Sequence, residues 1–166
     1  MPARHTHLSP RSAHGQLAAA LAALRTEFSV PDGFAEPVLA EASEASPSMP
    51  ERDLRDIGFV TLDPTGSRDL DQAFHLERRG EGLLVRYAIA DLPGFVRPGG
   101  ALDLEARRRG QTLYLPDGSV PLHPRLLSEG RASLLPGEDR AAFVWSVRLD
   151  GSGAVGEARV ERALIR

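Results

Sequence analysis

The 166-residue sequence contains no cysteine, no lysine and no asparagine. The lack of cysteine excludes disulfides, thiolate nucleophiles, zinc–thiolate centres and iron–sulfur clusters. The lack of lysine excludes Schiff-base chemistry and a P-loop phosphate site. All 20 cationic side chains are therefore arginine; against 23 carboxylates they leave a formal charge of −3. That balance argues against a simple basic coat for nucleic acid. It leaves room for a nucleic-acid enzyme that guards a local acidic site. No apolar run reaches the roughly 18–20 residues needed to span a bilayer. The longest candidate, Leu17–Leu24, is short and mostly alanine, so a cytoplasmic protein without membrane association is expected. The motifs G-x-S-x-G, G-x-G-x-x-G and H-E-x-x-H are all missing, which removes support for the common hydrolase, dinucleotide and zincin sites. What remains is 42% hydrophobic, enough for a real core.

The chain divides in two. Residues 1–49 are alanine-rich and hold only three of the arginines and five of the carboxylates. They read as a frayed start, a helix near His14–Phe28, a Pro31-Asp32-Gly33 breaker, a short helix near Ala35–Ala45 and a Ser43–Pro50 linker. Leu17, Leu21, Leu24 and Phe28 fall on one helical stripe. From Ile57 onward the pattern becomes strand-like. Ile57–Leu62 is a short apolar run. Ala73–Glu77 and Leu83–Ala90 flank Arg79-Gly80-Glu81-Gly82, a hairpin signal. Gly99–Gly110 reads as a helix whose three terminal arginines suit its dipole and whose glycine suits its C-cap. Thr112–Leu115 reads as a strand, Pro121–Gly137 as loop with helical turns, and Ala141–Leu149 with Ala154–Ile165 as a second hairpin. The last strand runs into Arg166, which implies a fragment of something longer.

The most informative stretch is TLDPTGSRDLDQAF, Thr61–Phe74. Asp63 ends an apolar segment, and Asp69 and Asp71 follow a short loop. If Leu70 faces inward in extended backbone, Asp69 and Asp71 share the other face, and a turn after Asp63 can bring all three carboxylates together. Anions so placed repel and call for a cation. Hard oxygen ligands suit magnesium or manganese. Two plainer readings stand beside this one: Asp63-Pro64-Thr65-Gly66 as a β-turn with aspartate first, and Asp69 and Asp71 as a solvated face or partners of Arg68. A second candidate is Arg107-Arg108-Arg109 with Tyr114, suited to phosphate and to a stacked base. The alternative is an exposed helix end and a tyrosine in a core strand.

Arg55–Arg166 resembles the first part of the catalytic (RNB) domain of ribonuclease II and ribonuclease R. The stretches that carry the resemblance are DLRDIGFVTLDPTGSRDLDQAF, YAIADLPGFVRPGGALDLEARRRGQTLYLP, PLHPRLLSEGRASLLPGEDR and AAFVWSVRLDGSGAV, in the family's order. The resemblance implies an α+β fold: a mixed-sheet RNB-type core over residues 50–166, incomplete here, preceded by a small helical element over 1–49. It implies a processive 3′→5′ exoribonuclease that releases nucleoside 5′-monophosphates from single-stranded RNA. Asp63, Asp69 and Asp71 match acidic positions of the family's magnesium cluster, with manganese as a substitute. Gln72 stands where the family usually has a fourth aspartate. An amide oxygen can ligate a metal but brings no charge, so a catalytically impaired homologue acting as an RNA-binding module is the alternative. Tyr114 matches an aromatic that packs on a nucleotide near the RNA 3′ end, and Ala88 stands where the family often has histidine. The family's cold-shock domains have no counterpart in residues 1–49. The rest of the catalytic domain, its later arginine and a C-terminal OB-fold domain are expected beyond Arg166, with the full-length protein a monomer. A third reading, a β-rich interaction domain, would make the aspartates mere turn residues.

Overall fold

The computed structural model describes residues 13–166; the frayed start read in the sequence lies outside the described residues. Helices α1 (Ala13–Glu27) and α2 (Glu36–Glu44) are followed by β1 (Arg52–Asp53), β2 (Gln72–Arg79) and β3 (Gly82–Ala90). Then come α3 (Ala101–Arg109), the short strands β4 (Leu113–Leu115) and β5 (Gly118–Val120), and the long strands β6 (Arg140–Leu149) and β7 (Val155–Ile165). Among the described residues no helix is long and apolar enough to cross a membrane.

Five strands form one mixed sheet in the order β1-β7-β6-β3-β2, with β1 parallel to β7 and every other neighbour antiparallel. The fold is thus α+β with a mixed sheet, as the resemblance implies. The β2–β3 hairpin turns tightly, Arg79 opposite Gly82, with Gly80 at φ +62°. Such a turn needs a residue that tolerates positive φ. One face of the sheet carries small and branched side chains, Ala73, Ala88, Ala142, Val144 and Ala163. Leu54, Leu70 and Leu134 pack onto it. A second core joins Val38 and Ala42 of α2 to Phe95, Leu102 of α3 and Leu127. The short helix α2, which precedes residue 50, is thereby packed against the part that follows it.

That packing includes a cap supplied from outside the helix it serves. Helix α3 begins at Gly100, which has no side chain to satisfy the first free N–H groups. Glu41 of α2 does so instead: its carboxylate accepts from the Ala101 N–H at 2.5 Å and the Leu102 N–H at 3.4 Å. A negative group there also suits the helix dipole.

Two sequence expectations differ from the fold. Ile57–Leu62 forms no ladder; only Val60 pairs, with Phe74. Its apolar residues act singly: Ile57 and Phe59 plug the sheet core, and Leu62 is exposed. The apolar stripe of α1 is not buried as a stripe. Leu21 is buried while Leu17, Leu24 and Phe28 remain exposed. An alanine-rich helix offers little apolar area, and an ion pair from Arg25 to Asp117 at 2.9 Å adds to its attachment.

Candidate functional site

The acidic stretch is a closed loop with a defined neck. Val60 and Phe74 exchange both backbone hydrogen bonds at 2.9 Å, so the segment between them leaves and re-enters the fold at one point beside β2. The tip is a turn closed by the Ser67 N–H donating to the Pro64 carbonyl at 3.0 Å. Gly66, at φ +89°, takes the position of a type II turn that requires positive φ. The turn therefore starts one residue after Asp63, and Asp63 stays outside it.

The returning leg is fastened from below. Leu70 is buried in the sheet core. Its N–H donates to the Ser133 hydroxyl at 3.0 Å, and that hydroxyl donates onward to the Arg68 carbonyl at 2.6 Å. The Leu134 N–H donates to the Leu70 carbonyl at 2.8 Å, and the Ala90 N–H to the Asp71 carbonyl at 2.9 Å. Burial of Leu70 leaves Asp69 and Asp71 exposed on either side of it. Ser133 is only 2% exposed and was not singled out in the sequence. Its one signal was its place within the PLHPRLLSEGRASLLPGEDR stretch.

Asp63, Asp69 and Asp71 are all exposed. Among the described residues they enter no ion pair and accept no side-chain hydrogen bond. Arg68 does not neutralise its neighbours; it reaches the Glu129 carbonyl at 3.5 Å. Elsewhere the carboxylates of Asp53, Asp103, Glu105 and Asp139 are taken up by arginines. The donor chemistry of the loop, unpaired hard oxygens, fits a divalent cation. Among the described residues, however, no three acidic or imidazole side chains are gathered closely enough to hold an ion.

Gln72 opens β2, opposite Ile89 of β3. Its amide oxygen accepts a hydrogen bond from the Tyr87 hydroxyl, so the oxygen expected as a neutral metal ligand is engaged. Tyr87 was not singled out in the sequence either, because the contact runs diagonally across a hairpin.

Tyr114 lies in β4 opposite Ser119 and is 66% exposed; it is not a core tyrosine, and its ring is free to stack. The three arginines of α3 divide. Arg107 pairs with Asp103 at 2.9 Å and Arg108 with Glu105 at 2.6 Å, both with guanidinium groups largely in solvent. Arg109 is turned inward, its side chain 3% exposed. It pairs with Glu105 at 2.7 Å, donates to the Pro121 and Gly33 carbonyls and lies 3.8 Å over the Phe34 ring. Arg109 ties α3 to the chain before α2 and is not available to a ligand. The hydrogen bond from Arg108, aided by Arg109, holds the Glu105 carboxyl at about 2, well below its ordinary range.

Comparison with known proteins supplies the remaining context. The RNB domain matches residues 51–166. Ribonuclease R of Acidithiobacillus ferrooxidans is 35% identical over 144 residues, covering 83% of this chain and 33% of that protein. Exoribonuclease 2 of Yersinia enterocolitica is 38% identical over 122 residues, covering 73% of this chain and 19% of that protein. A solved structure of Mycoplasma genitalium RNase R in complex with ribose-methylated single-stranded RNA superposes with a TM-score of 0.83 at 29% identity. It covers 89% of this chain and 24% of that one. The chain thus spans about a third or less of the length of these relatives. The match over residues 51–166, with relatives 35% and 38% identical over most of the sequence, establishes that the chain belongs to the RNB domain family.

Proposed function

We propose that this chain forms the first part of the catalytic domain of a cytoplasmic 3′→5′ exoribonuclease that degrades single-stranded RNA processively to nucleoside 5′-monophosphates. The observation that carries the proposal is the acidic loop. Three carboxylates that pair with no described cation are displayed from a neck clamped to the sheet, in a stretch that belongs to the RNB domain.

Asp63, Asp69 and Asp71 would hold magnesium, or manganese in its place. Two such ions at a scissile phosphate supply a hydroxide nucleophile at neutral pH and stabilise the leaving oxygen. The chain's own contribution is positional. Ser133 and Leu70 hold Asp69 and Asp71 on one side of the returning leg, and the type II turn keeps Asp63 on the outgoing one. Tyr114 offers a face on which a base stacks whatever its identity. Arg107 and Arg108 offer partly exposed guanidinium groups to the phosphate backbone, and Arg109 orients the helix that carries them.

The test is a cleavage assay with 5′-labelled single-stranded RNA and magnesium. The chain is fused to the part of the Acidithiobacillus ferrooxidans ribonuclease R that follows its matching stretch. Stepwise shortening is expected, and Asp71→Asn should abolish it while RNA binding survives. Equal loss of binding and cleavage would sink the assignment of Asp71. The engaged amide of Gln72 favours one other reading, a catalytically impaired RNB protein that binds RNA; binding with no shortening under any metal would establish it.

A further inference from the structure

Among the described residues, the ribbon that carries Tyr114 belongs to no larger sheet: β4 and β5 pair with one another alone. A two-stranded ribbon is marginal in water unless something outside it holds it. Its base is closed by the Leu122 N–H, which donates to the Thr112 hydroxyl at 3.1 Å. Further support comes from the chain that precedes residue 50, at two separate points.

At the tip, the turn between Leu115 and Gly118 presents Asp117. Arg25, in the last turn of α1, donates to its carboxylate at 2.9 Å across 92 positions of sequence, and both side chains are partly buried. Arg25 is itself held in place. The Val30 N–H closes back on the Arg25 carbonyl at 2.8 Å, and Leu21, one turn earlier, is buried. At the base, Arg109 donates to the Pro121 carbonyl at 3.1 Å with one arm and to the Gly33 carbonyl with the other, over the Phe34 ring. Phe34 packs on the second core, which joins this anchor to the body of the fold. Tyr114 lies between the two anchors, opposite Ser119, with its ring in solvent.

We propose that residues 13–34 brace this ribbon and so set the place at which Tyr114 meets a base, with Arg25 as a positioning residue that acts through Asp117. These residues lie outside 51–166, the stretch that the RNB domain matches. The proposal gives them a part in RNA binding without contact to RNA. It rests on the exoribonuclease reading for the contact between Tyr114 and RNA. A ribbon that must be ordered when the base arrives loses affinity to its own ordering, and a ribbon already held at both ends does not.

The opposite charges of the pair make the test sharp. Arg25→Ala removes a positive charge and Asp117→Ala a negative one. If the two acted only through the field they offer to phosphate, the first would weaken RNA binding and the second would strengthen it. As a brace both should weaken it, by roughly two- to five-fold each, the scale of a partly exposed ion pair. The titration uses fluorescently labelled single-stranded RNA and the fusion described above, carrying Asp71→Asn so that RNA is bound and not cut. The double change Arg25→Asp with Asp117→Arg should restore binding. Arg25→Ala should have no further effect once Tyr114 is replaced by alanine, because that ring is what the brace positions. Tighter binding by Asp117→Ala overturns the proposal, and so do effects of Arg25→Ala and Tyr114→Ala that simply add.

A second measurement needs neither RNA nor the fusion. In the full 166-residue chain, Arg25→Ala should accelerate amide hydrogen exchange in β4 and β5 and leave the β3–β6 ladder unchanged. Unchanged exchange in the ribbon overturns the proposal. A fusion that binds no RNA, or one whose binding ignores Tyr114→Ala, counts against the exoribonuclease reading of that residue, while exchange still decides the brace. Binding that falls with Tyr114→Ala and ignores both Arg25→Ala and Asp117→Ala counts against this inference alone.

Discussion

Replacing Ser133 by alanine is the sharpest test of how the acidic loop is held. The hydroxyl is buried and makes two hydrogen bonds, one received from the Leu70 N–H and one given to the Arg68 carbonyl. Alanine fits the space but leaves the Leu70 N–H in the core without an acceptor, a loss of about 1–3 kcal/mol. The Arg68 carbonyl belongs to an exposed residue and can turn to water, so its share stays near the low end, about 0.5–1 kcal/mol. Together the expected destabilisation is about 1.5–4 kcal/mol. For a chain of this size each kcal/mol moves the melting temperature by about 2–4 °C, so a fall of about 3–16 °C is expected. The distinguishing signature is local. Amide hydrogen exchange at Leu70 should accelerate more than at the β6–β7 ladder, because the return leg loses its anchor first. Calorimetry and exchange on the same variant read both effects. A change under about 0.5 kcal/mol, the size of an ordinary surface substitution, with the Leu70 amide still protected, would refute the claim that Ser133 fastens the loop.

Other predictions follow from the same contacts. Glu41→Ala removes the carboxylate that caps α3 and should cost about 1 kcal/mol, within the 0.5–2 kcal/mol of ordinary caps, by chemical denaturation; Glu41→Gln should recover part of it. Tyr114→Ala removes one stacking surface, worth about 1–3 kcal/mol. That corresponds to roughly 5- to 150-fold weaker binding of single-stranded RNA in an anisotropy titration, with thermal stability unchanged. Stability should fall with acid in two windows. Burial holds the His123 imidazole below its ordinary range, so its share of stability is lost as the pH falls below about 6.5, and His123→Phe should flatten that segment of the melting curve. The carboxyls of Asp53, lowered by Arg55, and Glu105, lowered chiefly by Arg108, sit at about 2. Their contribution is complete above the ordinary carboxylate range and is lost between about pH 4 and pH 2; a melting temperature flat through that interval would contradict the ion pairs.

Much of the fold was legible because its signals are local. The β2–β3 and β6–β7 hairpins announce themselves through glycine-bearing turns between alternating segments, and α3 through its arginines and Gly110. What could not be read depends on partners far apart in the chain. Ile57–Leu62 has the composition of a strand, but only Val60 finds a backbone partner in the sheet, Phe74 of β2. Arg52–Asp53 is too short to signal anything, and it is a strand only because β7 accepts it. At the site, the alternation around Leu70 was readable from period two. The clamp by Ser133, 63 residues away, was not. Nor was the diversion of Arg109, since a run of three arginines gives no hint that the third points inward to Glu105 and Phe34.

The parallel pairing of β1 with β7 has a consequence for synthesis. Arg52 aligns with Ala163, and Leu54 donates to the Leu164 carbonyl, so a segment made early is complete only when one made more than a hundred residues later reaches it. Asp139, gripped by Arg55 at 2.9 Å and Arg166 at 2.7 Å, closes the same seam. On the ribosome, the β2–β3 hairpin and the α2–α3 pair can form as they emerge, because their contacts are nearer in sequence. The edge at β1 has to wait for the last strand, at the loop-closure cost of such distant contacts. Until then the nascent chain carries an unpaired edge, which favours association with other chains. This seam, more than the acidic loop, sets how the protein must be expressed if it is to be obtained folded.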